Sequence, residues 1–179
     1  MASFNRRNKK ASAADITYMI IFLTSFAFVA VLGVYINDEV STAFIDSGHM
    51  VPVAEHAINQ TRDDLQSGLF DNIFLIVFAG MVLSIVLLAF MINVHPAFAI
   101  VYIIVTIINV LIAVPMANAY YEFKTNSILA GAAATFTIQN HVMSYLPLYI
   151  LVISIIVGVA TYAKVQSDAQ GFGGASGGI

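Results

Sequence analysis

Apolar positions in this chain do not alternate with polar ones; they run together in four long blocks. Ile16 to Ile36, Ile73 to Ile92, Ala97 to Ala117 and Ser144 to Ala163 contain no Asp, Glu, Lys or Arg. At about 1.5 Å of rise per residue, a helix of roughly 20 residues crosses a bilayer core of about 30 Å. The pattern therefore predicts an all-α integral membrane protein with four transmembrane helices (16–36, 73–92, 97–117 and 144–163), a central tight hairpin and a short amphipathic outer helix. Residues 1–15 form a basic N-terminal segment, 16–163 the membrane domain with outer loops at 37–72 and 118–143, and 164–179 a Gly-rich tail.

The connections carry more information than the blocks. Only Asn93, Val94, His95 and Pro96 separate the second and third blocks, which suits an antiparallel hairpin with Pro96 in the first turn of the next helix. After Pro52, Ala54, Ile58, Thr61 and Leu65 recur at spacings of four, three and four, while Glu55, His56, Asn59, Arg62, Asp63 and Asp64 take the other faces. That spacing predicts the amphipathic helix. Ser127 to Ile138 is uncharged, too short to span and too apolar for water, so it is expected as an outer-surface helix, with a re-entrant element or an extension of the fourth long helix as the competing readings. Gln139, Asn140 and His141 then interrupt the apolar stretch before Pro147.

Composition agrees, with 60% hydrophobic and 9% charged residues, a balance that leaves charge only for segments outside a membrane. Charge also orients the spans. With four crossings both termini share a face, and that face holds Arg6, Arg7, Lys9, Lys10 and Lys164 against Arg62 and Lys124 opposite. Basic residues resist translocation, so both termini are expected to be cytoplasmic, or interior to a vesicle. The acids fall mostly on the other side, at Asp38, Glu39, Asp46, Glu55, Asp63, Asp64, Asp71 and Glu122, giving an anionic outer surface. The four N-terminal bases suit anionic lipid, and nucleic acid is not expected as a partner.

Candidate chemistry is sparse. The chain has no Cys, which removes disulfides, thiolate nucleophiles and Cys-ligated metal centres. Serine-hydrolase, zinc-protease and phosphate-loop motifs are missing, and no catalytic, cofactor or metal residues are assigned. His49 and His56, with Glu55 and Asp46 nearby, match no zinc spacing. What remains is a set of small or polar residues at helical spacing: Gly80 and Ser84, then Thr106, Asn109 and Ala113, then Ser154 and Gly158 with Thr161, and more weakly Thr24 and Ala27. Small residues let helix backbones approach closely in lipid, so Gly80, Ser84, Thr106, Asn109, Ser154 and Gly158 are expected to pack helices or, in an oligomer, to line a pore. Asn109, near the middle of its span, should face protein and bond to Ser84, Ser154 or a neighbouring subunit, because its amide is costly in hydrocarbon.

Phe70-Asp71-Asn72-Ile73-Phe74, a span, Asn93-Val94-His95-Pro96-Ala97-Phe98, a second span and Asn118-Ala119-Tyr120-Tyr121-Glu122-Phe123 resemble in layout small multi-span membrane proteins of tailless bacterial viruses that contain an internal membrane. The resemblance covers Phe70 to Phe123 and implies a structural protein of the virion membrane without an enzyme site. The expectation is thus a structural or organising membrane protein, not an enzyme, whose partners are the lipid bilayer and either its own copies or other membrane or shell proteins. A holin-like or other small oligomeric channel and an accessory subunit of a larger membrane complex are the alternatives.

Overall fold

In a computed structural model of the chain, residues 11–48, 51–91 and 98–173 are described. Among them every regular element is helical. The order is α1 (Ala11–Asp46), α2 (Pro52–Asp64), a π-helical turn (Leu65–Leu69), α3 (Phe70–Met91), α4 (Phe98–Lys124), α5 (Ala130–Ala134), α6 (Thr137–Ser144) and α7 (Leu146–Gly173). Four helices, α1, α3, α4 and α7, are long and apolar enough to cross a membrane. The basic residues Arg6 to Lys10, the hairpin Asn93 to Pro96 with His95, His49 and the last residues from 174 onward lie outside the described residues.

The helices overrun the apolar blocks that announce them. α1 continues ten residues past Ile36, through Asp38 and Glu39, to Asp46. No proline or glycine interrupts that stretch, and the turn that follows contains Gly48 at φ 66°, a left-handed conformation that glycine adopts without a steric penalty. At the other end of the loop, Gly68 at φ 91° kinks the chain between α2 and α3, which lets α3 begin at Phe70 and places Asp71 in its first turn. α7 runs to Gly173, covering the part of the expected tail before its glycine-rich end. Ser127 to Ile138 is neither one helix nor an extension of α7: it divides into a turn held by Asn126 Oδ1 accepting from the Ile128 N–H, α5, and the start of α6.

Each long helix hides one narrow face. On α1 the buried positions are Ile16, Met19, Ile20, Leu23, Thr24, Ala27, Ala30, Val31, Val34 and Ser41; on α4 they are Asn109, Ala113, Ala117 and Tyr120; on α7, Leu146, Ile150, Ile153, Ser154, Val157 and Ala160. These spacings of three and four are those of a single helix stripe. α3 hides Asp71, Phe74, Ile85 and Ala89.

The chain forms two compact units, and α1, α3 and α4 each contribute to both. One unit comprises Met1–Ile20, Gly80–Val114 and Pro147–Ile179; the other comprises Ile21–Ala79 and Pro115–Leu146. In the second, ring contacts join Phe26 to Phe74 at 6.0 Å and Phe28 to both Tyr120 and Phe123 at 5.9 and 4.5 Å. α2 also belongs to it. Pro52 begins α2, and no residue of α2 is fully buried. Arg62 Nε pairs with Asp38 Oδ1 of α1 at 2.6 Å.

Candidate functional site

The densest polar chemistry lies in the unit that contains α5 and α6. α6 begins after Phe136, whose side chain has no oxygen with which to cap a helix. Its free N-terminal N–H groups need an acceptor, and Asp71 supplies one from α3: the Ile138 N–H donates to Oδ2 at 2.7 Å and the Gln139 N–H to Oδ1 at 2.6 Å. These are the second and third helical positions, which an N-cap side chain normally serves. The carboxylate is buried, so its charge is met by two charge-assisted bonds and by the positive end of the helix. At the other end of α6, Lys124 Nζ donates to Ser144 Oγ at 3.1 Å. A short helix is thus held by an anion at its N-terminus and a cation at its C-terminus, both favourable to the helix dipole.

Gln139 extends this cluster inward. Its side chain is fully buried, and Nε2 donates to the Tyr120 hydroxyl at 2.8 Å and to the Ala27 carbonyl at 3.2 Å. Tyr120 in turn donates to Asn140 Oδ1 at 2.9 Å, and Asn140 Nδ2 donates to the Ala133 carbonyl at 2.7 Å. One connected set of bonds therefore ties α6 to α1, α3, α4 and α5. The Oε1 of Gln139 is buried without a hydrogen-bond partner.

The other unit holds most of the residues singled out by spacing. Asn109 is buried, and its Oδ1 accepts from the Thr17 hydroxyl at 2.6 Å; Thr17, on α1, lies outside the small-residue pattern. Ser154 is buried and its carbonyl accepts from the Tyr102 hydroxyl at 2.6 Å. Thr106 is half-buried, one turn along α4 from Tyr102. A Cβ added at Gly158 would come within 3.2 Å of the Tyr102 ring, so the glycine makes room for that ring.

Gly80 and Ser84 differ from the inner seam expected of them. Both are exposed, and among the described residues nothing lies within 4 Å of a Cβ built at Gly80. The physical reason is the direction of α3, whose hidden side carries Phe74, Ile85 and Ala89. At about 100° per residue, Ser84 falls about 100° from Ile85, and Gly80 about 120° from Phe74 and about 180° from Ala89.

Sequence spacing overlooked Asp71, Tyr120 and Gln139 as a working set, and Thr17 as the partner of Asn109. Asp71 reads as one outer acid among eight and Tyr120 as a ring at a membrane border. The only local signal is the polar triplet Gln139, Asn140, His141 inside an otherwise apolar stretch. Among the described residues no group of three His, Cys, Asp or Glu side chains is placed to hold a metal. No protein-family model matches this chain, and no curated protein or solved structure matches it either.

Proposed function

We propose that this chain is a multi-pass membrane protein with a structural or organising role, exercised through lateral contacts in the bilayer and an acidic outer surface. The observation that carries the reading is the outward apolar surface of α3 and α4: only 17% of the most apolar stretch of each is covered within the chain. Ile76, Leu83, Leu87, Ile100, Ile104, Ile107 and Leu111 all point away from the protein. Soluble monomers rarely present contiguous apolar patches beyond a few hundred Å², whereas lipid tails or neighbouring subunits cover such faces without cost. The sequence resemblance adds a setting, the internal membrane of a virion, in which an anionic outer face would meet shell proteins.

The exposed hydroxyl of Ser84 on α3 favours a second reading, a holin-like or other oligomeric channel in which that face lines water. Asn109, bonded to Thr17, contributes less to such a pore. Purified protein in liposomes separates the two: the structural reading requires vesicles that hold a pH or potassium gradient as well as empty ones do, and a leak that rises with protein and vanishes in Ser84→Leu would replace it with the channel. Orientation is tested in the same preparation from cells. Single cysteines at Ser3 and Ser176 should label from one side of the membrane and at Asn126 from the other, because of the five-to-two basic bias; Ser3 and Ser176 labelling from opposite sides would remove the four-span topology.

A further inference from the structure

We propose, resting on the reading of the chain as a multi-pass membrane protein, that Asp15 is a proton-binding site at membrane depth. In the sequence Asp15 stands one residue before the first apolar block, at a border where a carboxylate would meet water. Packing carries it elsewhere. The Thr17 hydroxyl donates to Asn109 Oδ1 at 2.6 Å, and Asn109 is eleven residues from the start of α4 and fifteen from its end, about 16 and 22 Å at 1.5 Å per residue. α4 has no Asp, Glu, Lys or Arg from Phe98 to Tyr121, so a bilayer core of about 30 Å centred on that stretch has its middle beside Asn109. Asp15 is two residues from Thr17 along α1, about 3 Å of rise. Its carboxyl therefore shares the depth of Asn109.

The surroundings are apolar. Asp15 Oδ2 is buried and has no hydrogen-bond partner among the described residues. In the unit that holds it, α3 from Gly80 to Met91 has no titratable residue, α4 from Phe98 to Val114 has only Tyr102, and α7 as far as Ala163 has only Tyr149 and Tyr162. On α1 itself Tyr18 is exposed, and the Tyr102 hydroxyl is engaged with the Ser154 carbonyl. Lys164 follows Ser154 by ten residues, about 15 Å farther along α7.

A lone carboxylate is among the most costly groups to place in hydrocarbon, and the neutral acid is far less so. Taking up a proton removes the charge without a partner residue. Carboxyls at such depth are the groups with which membrane proteins take up and release protons.

Dicyclohexylcarbodiimide tests this on the full chain in liposomes. The reagent partitions into lipid, adds the O–H of a protonated carboxyl across one of its C=N bonds and rearranges to a stable N-acylurea on that side chain. By mass spectrometry, Asp15 should carry the adduct several-fold above Glu55 and Asp63, which are exposed, and Asp15→Asn should remove it; labelling of the wild-type chain decides the matter even if that variant does not fold. Chain that resists alkaline carbonate extraction yet labels at Asp15 no more than at Glu55 and Asp63 would overturn the proposal, because the carboxyl would then be ionised, in water or beside one of the N-terminal bases. Protection by sodium chloride and not by choline chloride at equal ionic strength would also overturn it, since the site would then hold sodium. Chain stripped from the vesicles by carbonate would instead remove the membrane reading, and the depth of Asp15 with it.

Discussion

The two units differ in how many elements their buried polar contacts join. In the unit containing α6, Asp71, Gln139, Tyr120 and Asn140 form one connected set in which each side chain serves at least two others or a backbone group. In the other, the polar contacts named above each join two helices: Thr17 of α1 with Asn109 of α4, and Tyr102 of α4 with the Ser154 carbonyl of α7. A pair fixes one distance between two helices, and when the Thr17 contact is lost its hydroxyl can fall back on its own backbone. A network fixes several elements at once, and deletion of a central member strands its neighbours in a medium where unmet polar groups are expensive. The difference suits the tasks. Long helices need only registration against one another, whereas the short α5 and α6, with few turns of their own, need their ends held from outside.

The largest effect should come from removing Asp71. Asp71→Ala leaves two N–H groups at the start of α6 without acceptors and should cost roughly 3 kcal/mol, at about 1.5 kcal/mol or more for each bond to a charged group. Asp71→Asn, which retains one side-chain acceptor, should recover part of that. Denaturation by SDS in mixed micelles gives both values, and a loss below 1 kcal/mol for the alanine variant would show that α6 does not depend on α3. Tyr120→Phe comes next. It deletes the hydroxyl shared by Gln139 and Asn140 while keeping the ring against Phe28, and it should cost about 2 kcal/mol with faster amide exchange across residues 137–144. Unchanged exchange there would break the claim that the network acts as a whole.

Smaller effects are expected in the unit whose contacts join two helices at a time. Gly158→Leu places a side chain where the Tyr102 ring lies and should cost about 1 to 2 kcal/mol as the ring is forced aside, whereas Gly80→Leu points into open space and should leave the monomer's stability unchanged. The two glycines thereby distinguish contacts within the chain from contacts between copies: loss of an oligomer on size exclusion in Gly80→Leu, with monomer stability intact, would place a partner on α3. Asn109→Leu should be mildest, about 1 kcal/mol, since interhelical hydrogen bonds in lipid average well below the strongest cases and the Thr17 hydroxyl can turn to its own helix. A larger loss would mean that Asn109 belongs to a network after all.

The four apolar helices were legible because hydrophobic runs without charge need no tertiary information to be recognised. Their ends were less so. Asp38 and Glu39 read as the end of a span, yet a carboxylate does not stop a helix that has no glycine or proline to break it, and α1 continues to Asp46. The direction of α3 was hidden for another reason: its glycine and serine lie at helical spacing, but so do Phe74, Ile85 and Ala89, and spacing alone does not choose between two stripes on one cylinder. The α6 cluster was least accessible. Its partners are separated by 67 or 68 residues for Asp71 and 112 for Ala27, and the sequence around Asp71 carries no mark of a helix that begins so far downstream.

At 36 residues, α1 is about 54 Å long at 1.5 Å per residue, well beyond the roughly 30 Å of a bilayer core. A continuous helix does not telescope, so in a bilayer α1 would act as a ruler, its surplus setting the height of Asp38 and of the Arg62 that pairs with it. Lengthening such a ruler is coupled to turning it. Four added residues would raise the far end by about 6 Å and nearly preserve its facing, while two would raise it by about 3 Å and swing it through roughly 200°. Height and heading at that end are therefore a single inherited quantity, and the chain can change one freely only in steps of a full turn.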